Sequence, residues 1–461
     1  MSGQELAAPM VLDEKVDVKN TLMSRESPVA LKYIAAGRIA DGVLKYLVRE
    51  IAERRMSNVY DICRTGDALI EQECAKVFKN VQEKGVAGPT CVDVNNCVWG
   101  YAPNEREGAY VLVDGDVAKI SFGVHIDGYT VLVSHTVIAL PNIMPVDQLG
   151  PSIGGIADVI CASYVANRAV TGLLGTILYS TTSATPVNGL RIKALVESVA
   201  NTFHVKIVPG SQVRRVKRFL VGQDTVSEVD VKGYAWGSLS IAEATDDPDE
   251  GNLRKRIDVE AVAEVGETWI VDIAMCSYDA TTASEEILNR ANAAQISRRA
   301  LKPHKELRPT IFTRDYSLNL NMKSRTARAV LSEIDTAKSV FPFHVSALTT
   351  RGAGIGLLPL VDRGLMSATN VMMIAGAGSP LVARERSTVA LVPSVKHVGE
   401  AVVLAGGDAK LSWVHSEFEV TDEDVKGLLG EKPAGVVRVH IVHGQDVVPT
   451  VEAGEMDVEE S

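Results

Sequence analysis

The segment spanning residues 114–140 reads DGDVAKISFGVHIDGYTVLVSHTVIAL, and it decides the fold of the chain. Apolar and polar residues alternate on both sides of Ile126-Asp127-Gly128. Alternation with a period of two is typical of a strand with one buried face, and Asp-Gly between two such runs favours a tight hairpin turn. The segment therefore predicts two antiparallel strands, with apolar positions at Val117, Ile120 and Phe122 before the turn and Tyr129, Val131 and Val133 after it.

Helical and strand patterns alternate twice along the chain. Apolar residues recur at helical spacing over 33–54, and further helices are predicted over 66–84 and 152–174 and after Asn188, a suitable N-cap. Strands are predicted within 88–140 and at 205–208, 259–265 and 268–275, with a charged loop at 245–256. Helix followed by sheet, twice over, predicts an α+β fold with two similar halves.

A long segment interrupts the second half before its last strands, which are predicted at 387–392 and 410–420. It carries helical patterns at 285–294 and 326–338 around an extended linker. We therefore predict a main domain formed by 29–283 and 373–430, an inserted subdomain at 284–372, a mobile N-terminal segment at 1–28 and a C-terminal extension at 431–461 with an acidic tail.

Composition excludes several classes of protein. The chain has 461 residues, 46% of them hydrophobic, and a net charge of −11, so any nucleic-acid binding must depend on a local basic surface. The six scattered cysteines form no C-x-x-C motif and are interpreted as reduced thiols. No apolar run of about 18 residues occurs, which predicts a protein that neither is secreted nor spans a membrane.

The hairpin and the preceding segment 89–104, PTCVDVNNCVWGYAPN, together resemble the catalytic half of type-II methionine aminopeptidases. This resemblance implies the pita-bread fold, with two pseudo-symmetric halves. It also places the substrate-contacting histidine of the enzymes at Gly100 and their two metal-ligating aspartates at Ser121 and Leu132. The scaffold residues of the motif are present, whereas these ligands are not.

The remaining metal-ligand positions implied by the resemblance are also altered. The histidine position falls on Arg214 or its neighbour, the first glutamate position on Asp272, and the last on Arg386. One carboxylate of five ligands cannot hold two divalent cations about 3.5–4 Å apart. We expect no catalysis, metal or other cofactor. We also expect Arg386, with Arg214 as a second candidate, to pair with Asp272.

Several longer segments narrow the resemblance to one family, the proliferation-associated or ErbB-receptor-binding proteins, which are inactive homologues of the aminopeptidases. The segments are IAAGRIADGVLKYLV, YDICRTGDALIEQE, DVAKISFGVHIDGY, SRTARAVLSEID with the later VFPF, and SEFEVTDEDVKGLL. The resemblance implies a monomer that binds rRNA and proteins of the large ribosomal subunit near the peptide exit. It further implies roles in ribosome biogenesis, translation and growth control, and movement between cytoplasm and nucleus or nucleolus.

Basic residues cluster in two places in this otherwise acidic chain. The first group is Arg214, Arg215, Lys217 and Arg218. The second lies on the Pro-containing linker and predicts a phosphate-contacting surface rather than an ordinary solvated face, because so many cations follow one extended segment. Its members are Arg298, Arg299, Lys302, Lys305, Arg308, Lys323, Arg325 and Arg328. Few aromatic residues lie among them, which favours recognition of RNA shape and backbone over base stacking.

Two other functions remain open alternatives: a metalloaminopeptidase with altered ligands, and an interaction module for signalling partners or DNA. Glycine-rich 351–357 and 375–380 match neither a dinucleotide fingerprint nor a Walker A loop, and we interpret them as flexible turns. His440 and His443 are expected on opposite faces of a strand, which argues against a shared metal.

Overall fold

The fold is taken from a computed structural model, which describes residues 27–139, 154–177, 186–219, 231–237, 257–277, 294–296, 300–338, 340–375, 380–392, 400–407, 414–430 and 436–438. Its helices are α1 Pro28–Ala52, α2 Val59–Lys76, α3 Gly155–Thr176, α4 Gly189–Thr202, α5 Arg325–Ala337, α6 Ala353–Asp362 and α7 Glu423–Leu429, with a short 3₁₀ turn at Val345–Ala347. In the described residues, no helix is long and apolar enough to cross a membrane.

The strands of the first half and of the centre are β1 Lys84–Val94, β2 Cys97–Trp99, β3 Val117–Ile126, β4 Tyr129–Ile138, β5 Lys206–Ile207, β6 Gln212–Val216, β7 Val231–Ala235, β8 Ile257–Asp258 and β9 Thr268–Cys276. The later strands are β10 Leu301–Pro303, β11 Ile311–Arg314, β12 Phe343–His344, β13 Met366–Thr369, β14 Met372–Ile374, β15 Val382–Val392, β16 Glu400–Ala405 and β17 Val436–Arg438.

One large sheet organises these elements in the order β1-β3-β4-β15-β9-β6-β7-β8, with β16 on β15, β17 on β16 and β5 on β9. The predicted hairpin lies near one end of it, with Ile126 paired to Tyr129. Asp127 and Gly128 have φ of 55° and 77°, the two positive values that a two-residue type I′ turn requires. The hairpin prediction is therefore confirmed.

Each half of the sheet has its own apolar cluster against its own pair of helices. Hairpin residues such as Phe122 and Val133 pack with Leu44 and Leu47 of α1. In the second half, Val271 of β9 packs with residues of α3 and α4. Asn188 caps α4, as predicted, by accepting a hydrogen bond from Arg191 N at 3.1 Å.

The chain leaves the sheet between β9 and β15, which are neighbours in the sheet. Cys276 is paired with Val382, and Ser277 N donates to Leu381 O at 2.9 Å, so residues 277–381 begin and end side by side at one end of these two central strands. Helices α5 and α6 and the sheet β12-β11-β13 share a separate apolar cluster that includes Val330, Ile334 and Leu360. The predicted boundaries at 284 and 372 stay a prediction.

Three predictions of secondary structure were wrong. The strand predicted at 259–265 is absent, because Asp258 ends β8 by accepting hydrogen bonds from Glu260 N and Ala261 N at 3.1 and 3.0 Å, an Asx turn. The helix predicted over 66–84 lies at Val59–Lys76, and Lys84 begins β1. The glycine-rich stretch 351–357 is largely helical, since Gly356 lets α6 approach Val330 of α5 closely.

The prediction of a strand at 410–420 is also wrong over the described part of that range, 414–420. Val414 forms an isolated bridge, and 415–420 contain no strand. Ser416 Oγ accepts a hydrogen bond from Phe418 N at 3.1 Å, a local turn that competes with a strand ladder. The strand beside β15 is instead β16, which sequence reasoning missed. Residues 285–293, the loop 245–256, glycines 376 and 378, the two histidines at 440 and 443 and both chain termini lie outside the described residues.

Candidate functional site: a carboxylate between two arginines

A continuous row of side chains crosses one face of the sheet where the metal ligands of the aminopeptidases would lie. Direct register pairs join its members from β1 to β6. Strand residues two apart share a face, so the same face also carries Lys119, Leu132, Arg384 and Arg214. The row consists of Cys91, Ser121, Ser134, Arg386, Asp272 and Gln212.

The two faces of the sheet differ in their exposure. The opposite face lies under the helices, where residues such as Phe122, Val133 and Val271 are buried in the apolar clusters. On the row's face, Leu132 and Gln212 are partly exposed, and the Arg386 side chain keeps 13% of its exposure. Solvent therefore reaches the row's face of the sheet in part.

Asp272 is fully buried in this row and is held by two arginines. Arg384 donates to both carboxylate oxygens, from Nε to Oδ1 and from Nη2 to Oδ2, each at 2.7 Å. Arg386 Nη2 lies 2.7 Å from the same Oδ2. The predicted pair between Arg386 and Asp272 is thus confirmed, whereas the second arginine is Arg384 and not the suggested Arg214.

The charge of Asp272 is stabilised by these contacts. Burial alone would raise the pKa of the carboxyl, but the guanidinium groups of Arg384 and Arg386 more than offset this, and the pKa lies well below its usual range. A bidentate guanidinium contact is among the strongest pairings open to a carboxylate. Asp272 therefore stays ionised at neutral pH although it has no access to water.

Lys119 and Asp93 are two further buried ionisable side chains on the same face, and sequence reasoning did not single them out. They are register partners on β3 and β1, and both are fully buried. Lys119 Nζ donates to Asn95 O at 2.7 Å, and Asp93 Oδ1 accepts from Tyr101 N at 2.9 Å. Burial lowers the pKa of Lys119 to about 8 and raises that of Asp93. The period of two from Ser121 would have placed Lys119 on this face.

These residues do not fit a dinuclear metal centre. Among the five ligand positions, Ser121, Leu132, Arg214 and Arg386 offer no carboxylate or imidazole, and both oxygens of Asp272 already accept hydrogen bonds from Arg384. Elsewhere in the described part of the chain, no group of three or more His, Cys, Asp or Glu side chains could hold a metal ion.

The substrate-histidine position is closed to any side chain. Gly100 has a φ of 95°, and a Cβ atom built there would lie 2.9 Å from Asn370 O. Both features disfavour every residue except glycine. A histidine at this position would therefore clash with the segment before β14.

The two basic groups differ in what their side chains contact. In the first, Arg215 pairs with Glu267 at 3.3 Å and Arg218 Nε donates to Asp127 O at 2.8 Å, so part of this group stabilises the fold. The second group is exposed wherever it is described, and Arg298 and Arg299 lie outside the described residues. Its described members are Lys302, Lys305, Arg308, Lys323, Arg325 and Arg328, here named the linker cations.

No protein-family model matches the chain, but individual proteins do. The probable metalloprotease arx1 of Schizosaccharomyces pombe is 32% identical over 86% of this chain and 92% of its own length. Proliferation-associated protein A of Dictyostelium discoideum is 28% identical over 89% of this chain and 93% of its own. A solved structure of a thermophilic Arx1 superposes with a TM-score of 0.66 at 24% identity, covering 88% of this chain and 98% of that one. The chain has the pita-bread fold and belongs to the family of the Arx1 and proliferation-associated proteins.

Proposed function

We propose that this protein is a non-catalytic binding protein that uses an aminopeptidase-like scaffold to dock on the large ribosomal subunit, through rRNA and ribosomal proteins near the peptide exit. It would act in ribosome biogenesis, translation and growth control and move between cytoplasm and nucleolus. The main support for a protein without catalytic activity is the pairing of Asp272 with Arg384 and Arg386. A carboxylate neutralised by two guanidinium groups cannot ligate a cation at the same time.

The rival function is that of a metalloprotease, the probable activity for which the Schizosaccharomyces pombe relative is named. It requires bound metal, since a metalloprotease activates water for attack on a peptide bond at its metal ions. Elemental analysis of the purified protein, after dialysis against Mn²⁺, Co²⁺ or Zn²⁺, separates the two functions. We expect no stoichiometric metal and no turnover of Met-Gly peptides. About two bound metal ions per chain together with turnover would establish the rival.

The ribosomal part is supported by the resemblance described above and by the linker cations. All six are exposed in a chain whose net charge is −11, which supports the proposal that they act as a local cationic surface on an anionic protein. Each cation that contacts a phosphate releases condensed counterions, which makes binding to RNA dependent on salt. The guanidinium of Arg328 also donates to Met322 O and Lys323 O, both at 3.0 Å.

The test reverses the three linker cations that precede β11, with Lys302→Glu, Lys305→Glu and Arg308→Glu combined. Co-sedimentation with large subunits over a series of salt concentrations should weaken, and the slope of log affinity against log salt should fall by about two to three units if all three contact phosphate. The matched control is the same reversal at Arg38, Lys45 and Lys79, exposed on α1 and after α2. Equal losses in both triple variants would show that net charge matters and that the linker surface does not.

A further inference from the structure

The pairing around Asp272 leaves one positive charge in excess. Two guanidinium groups, Arg384 and Arg386, share one carboxylate. The neighbouring pair of Lys119 and Asp93 contributes charges of opposite sign and does not cancel the excess. Burial and the adjacent guanidinium of Arg384 lower the pKa of Arg386, which reflects the same surplus of positive charge. A surplus charge in a partly buried cleft is costly unless an anion accompanies it.

The surplus is located at Arg386 rather than at Arg384. Arg384 uses its Nε and Nη2 atoms for the two oxygens of Asp272. Arg386 approaches Asp272 Oδ2 with Nη2, and its buried Nε has no hydrogen-bond partner among the described residues. Since the side chain keeps 13% of its exposure, a ligand entering from solvent can reach this guanidinium. Arg386 thus has donor capacity that the folded chain does not use.

A second unused donor lies beside it. Ser134 is the direct register partner of Arg386 on the neighbouring strand β4, so the two side chains share a face with their Cβ atoms about 4.5–5.5 Å apart. Ser134 is fully buried, and its hydroxyl has no hydrogen-bond partner among the described residues. Buried hydroxyl and guanidinium groups are nearly always satisfied in folded proteins. Two adjacent exceptions on one row indicate that a ligand completes them.

We propose that Arg386 and Ser134 form a binding site for a carboxylate, carried either by a small free acid or by the end of a peptide chain. A carboxylate has a single negative charge, which matches the single surplus charge of the Asp272 cluster. Its two oxygens can accept one bond from the guanidinium and one from the hydroxyl. Inorganic phosphate is the less suitable anion, because it has more oxygens and more charge than these two donors satisfy. The site is independent of the linker cations and of any ribosome docking.

Calorimetric titration of the full chain tests the site with four probes: acetyl-dialanine with a free carboxylate, its C-terminal amide, acetate, and inorganic phosphate. We expect the free acid to bind at least about tenfold more tightly than the amide, since only the acid carries a negative charge and two acceptor oxygens. Acetate binding as tightly as the dipeptide identifies a small acid as the ligand, and weaker acetate binding identifies a chain end. Either result supports a carboxylate site.

Two variants locate the binding. Ser134→Ala removes an unpartnered hydroxyl and should weaken binding of the free acid about tenfold, and Arg386→Met should weaken it by about a hundredfold. The matched control is Ser163→Ala, another fully buried serine, whose hydroxyl already donates to Ile160 O at 3.0 Å. If Arg386→Met does not fold, Ser134→Ala still decides. Equal binding of acid and amide, tighter binding of phosphate, no binding at all, or unchanged affinity in Ser134→Ala would each overturn the proposal.

Discussion

Asp272 on β9 and Arg384 on the antiparallel strand β15 form a bidentate ion pair, in which Nε and Nη2 of the arginine each lie 2.7 Å from a different carboxylate oxygen. The register partner of Asp272 is Arg386, and that of Arg384 is Ala274, so Arg384 reaches diagonally to the carboxylate while Arg386 contacts it from directly opposite. The cluster joins β9 to β15, the two strands between which residues 277–381 leave the sheet and return. It therefore links the two central strands from which this segment leaves and to which it returns.

Removing the carboxylate alone should be costly. Asp272→Ala leaves two guanidinium groups in a buried site without their counter-charge, and we expect a loss of about 3–5 kcal/mol in the free energy of unfolding. Replacing the cluster by apolar residues of similar size, Asp272→Leu with Arg384→Met and Arg386→Met, should cost much less, because no unpaired charge remains. Denaturant unfolding measures both. Equal losses in the single and triple variants would show that the cluster is not what fastens the strands.

The closed position at Gly100 gives a second prediction that compares two glycines. Gly100 and Gly108 both have positive φ, 95° and 77°, but a Cβ atom at Gly108 meets nothing within 4 Å. Gly108→Ala should therefore show the backbone strain alone, about 1–2 kcal/mol. Gly100→Ala carries the same strain and also a contact of 2.9 Å with Asn370 O, so its melting temperature should fall further. Similar melting temperatures would mean that the approach of Asn370 does not close this position.

The hairpin and the helix pattern could be predicted because they are local. Asp127-Gly128 fixes the turn and the period of two fixes the faces, so the row that contains Ser121 follows from the sequence once the register is known. The pairing of Arg386 with Asp272 could be predicted through the resemblance, which placed both at ligand positions of one site. Arg384 was missed although it lies two residues from Arg386 on the same strand.

The remaining contacts depend on segments that are distant in the chain. Nothing near Gly100 in the sequence indicates that Asn370 approaches it, since 270 residues separate them and the contact exists only because β14 pairs with β2. The strand lost at 259–265 and the helix gained at Ala353–Asp362 have a similar origin. The Asp258 carboxylate ends β8, so the predicted strand does not form. Packing of Gly356 against Val330 stabilises the helix, which the glycine-rich sequence does not indicate.

Glu333 should hold the segment before α6 in place. Its carboxylate accepts hydrogen bonds from the backbone N atoms of Thr349 and Thr350 at 2.5 and 2.9 Å and from their hydroxyls at 2.8 and 2.6 Å. Burial alone would raise the pKa of this carboxyl, but the four hydrogen bonds together more than offset burial and lower the pKa to about 2. In Glu333→Gln, we expect amide hydrogen exchange at Thr349 and Thr350 to accelerate about tenfold, since charge-assisted bonds are replaced by weaker ones.

The pH dependence of this effect has a fixed sign. A carboxyl whose pKa is lowered by folding stabilises the folded state above its unfolded value, near 4.5, and that stability is lost as the pH falls toward 2. The difference between wild type and Glu333→Gln should therefore shrink across this window. Glu71→Gln, at an exposed position of α2, is the control and should leave exchange at the two threonines unchanged. A difference that persists at low pH would contradict the role of the charge.

Asp67 should show the opposite dependence on pH. Its Oδ1 accepts a hydrogen bond from Thr90 N at 2.7 Å, which ties α2 to β1, but burial raises the pKa of the carboxyl from 3.8 to about 6. The folded protein therefore holds this proton more tightly than the unfolded chain does. By linkage, the contribution of Asp67 to the free energy of unfolding declines as the pH rises from about 4 to about 6, and it stays at its lower value above that window.

Asp67→Asn should remove this decline. The asparagine Oδ1 can still accept from Thr90 N, and the group no longer ionises in a site that disfavours charge. Because part of the side chain still reaches solvent, we expect the variant to be more stable than wild type by about 1–2 kcal/mol at pH 7 and equal to it near pH 4. Denaturant unfolding at a series of pH values checks both. If wild type instead gained stability relative to Asp67→Asn between pH 4 and pH 6, the carboxylate would be favoured by its surroundings, and the bond to Thr90 would outweigh the cost of burial.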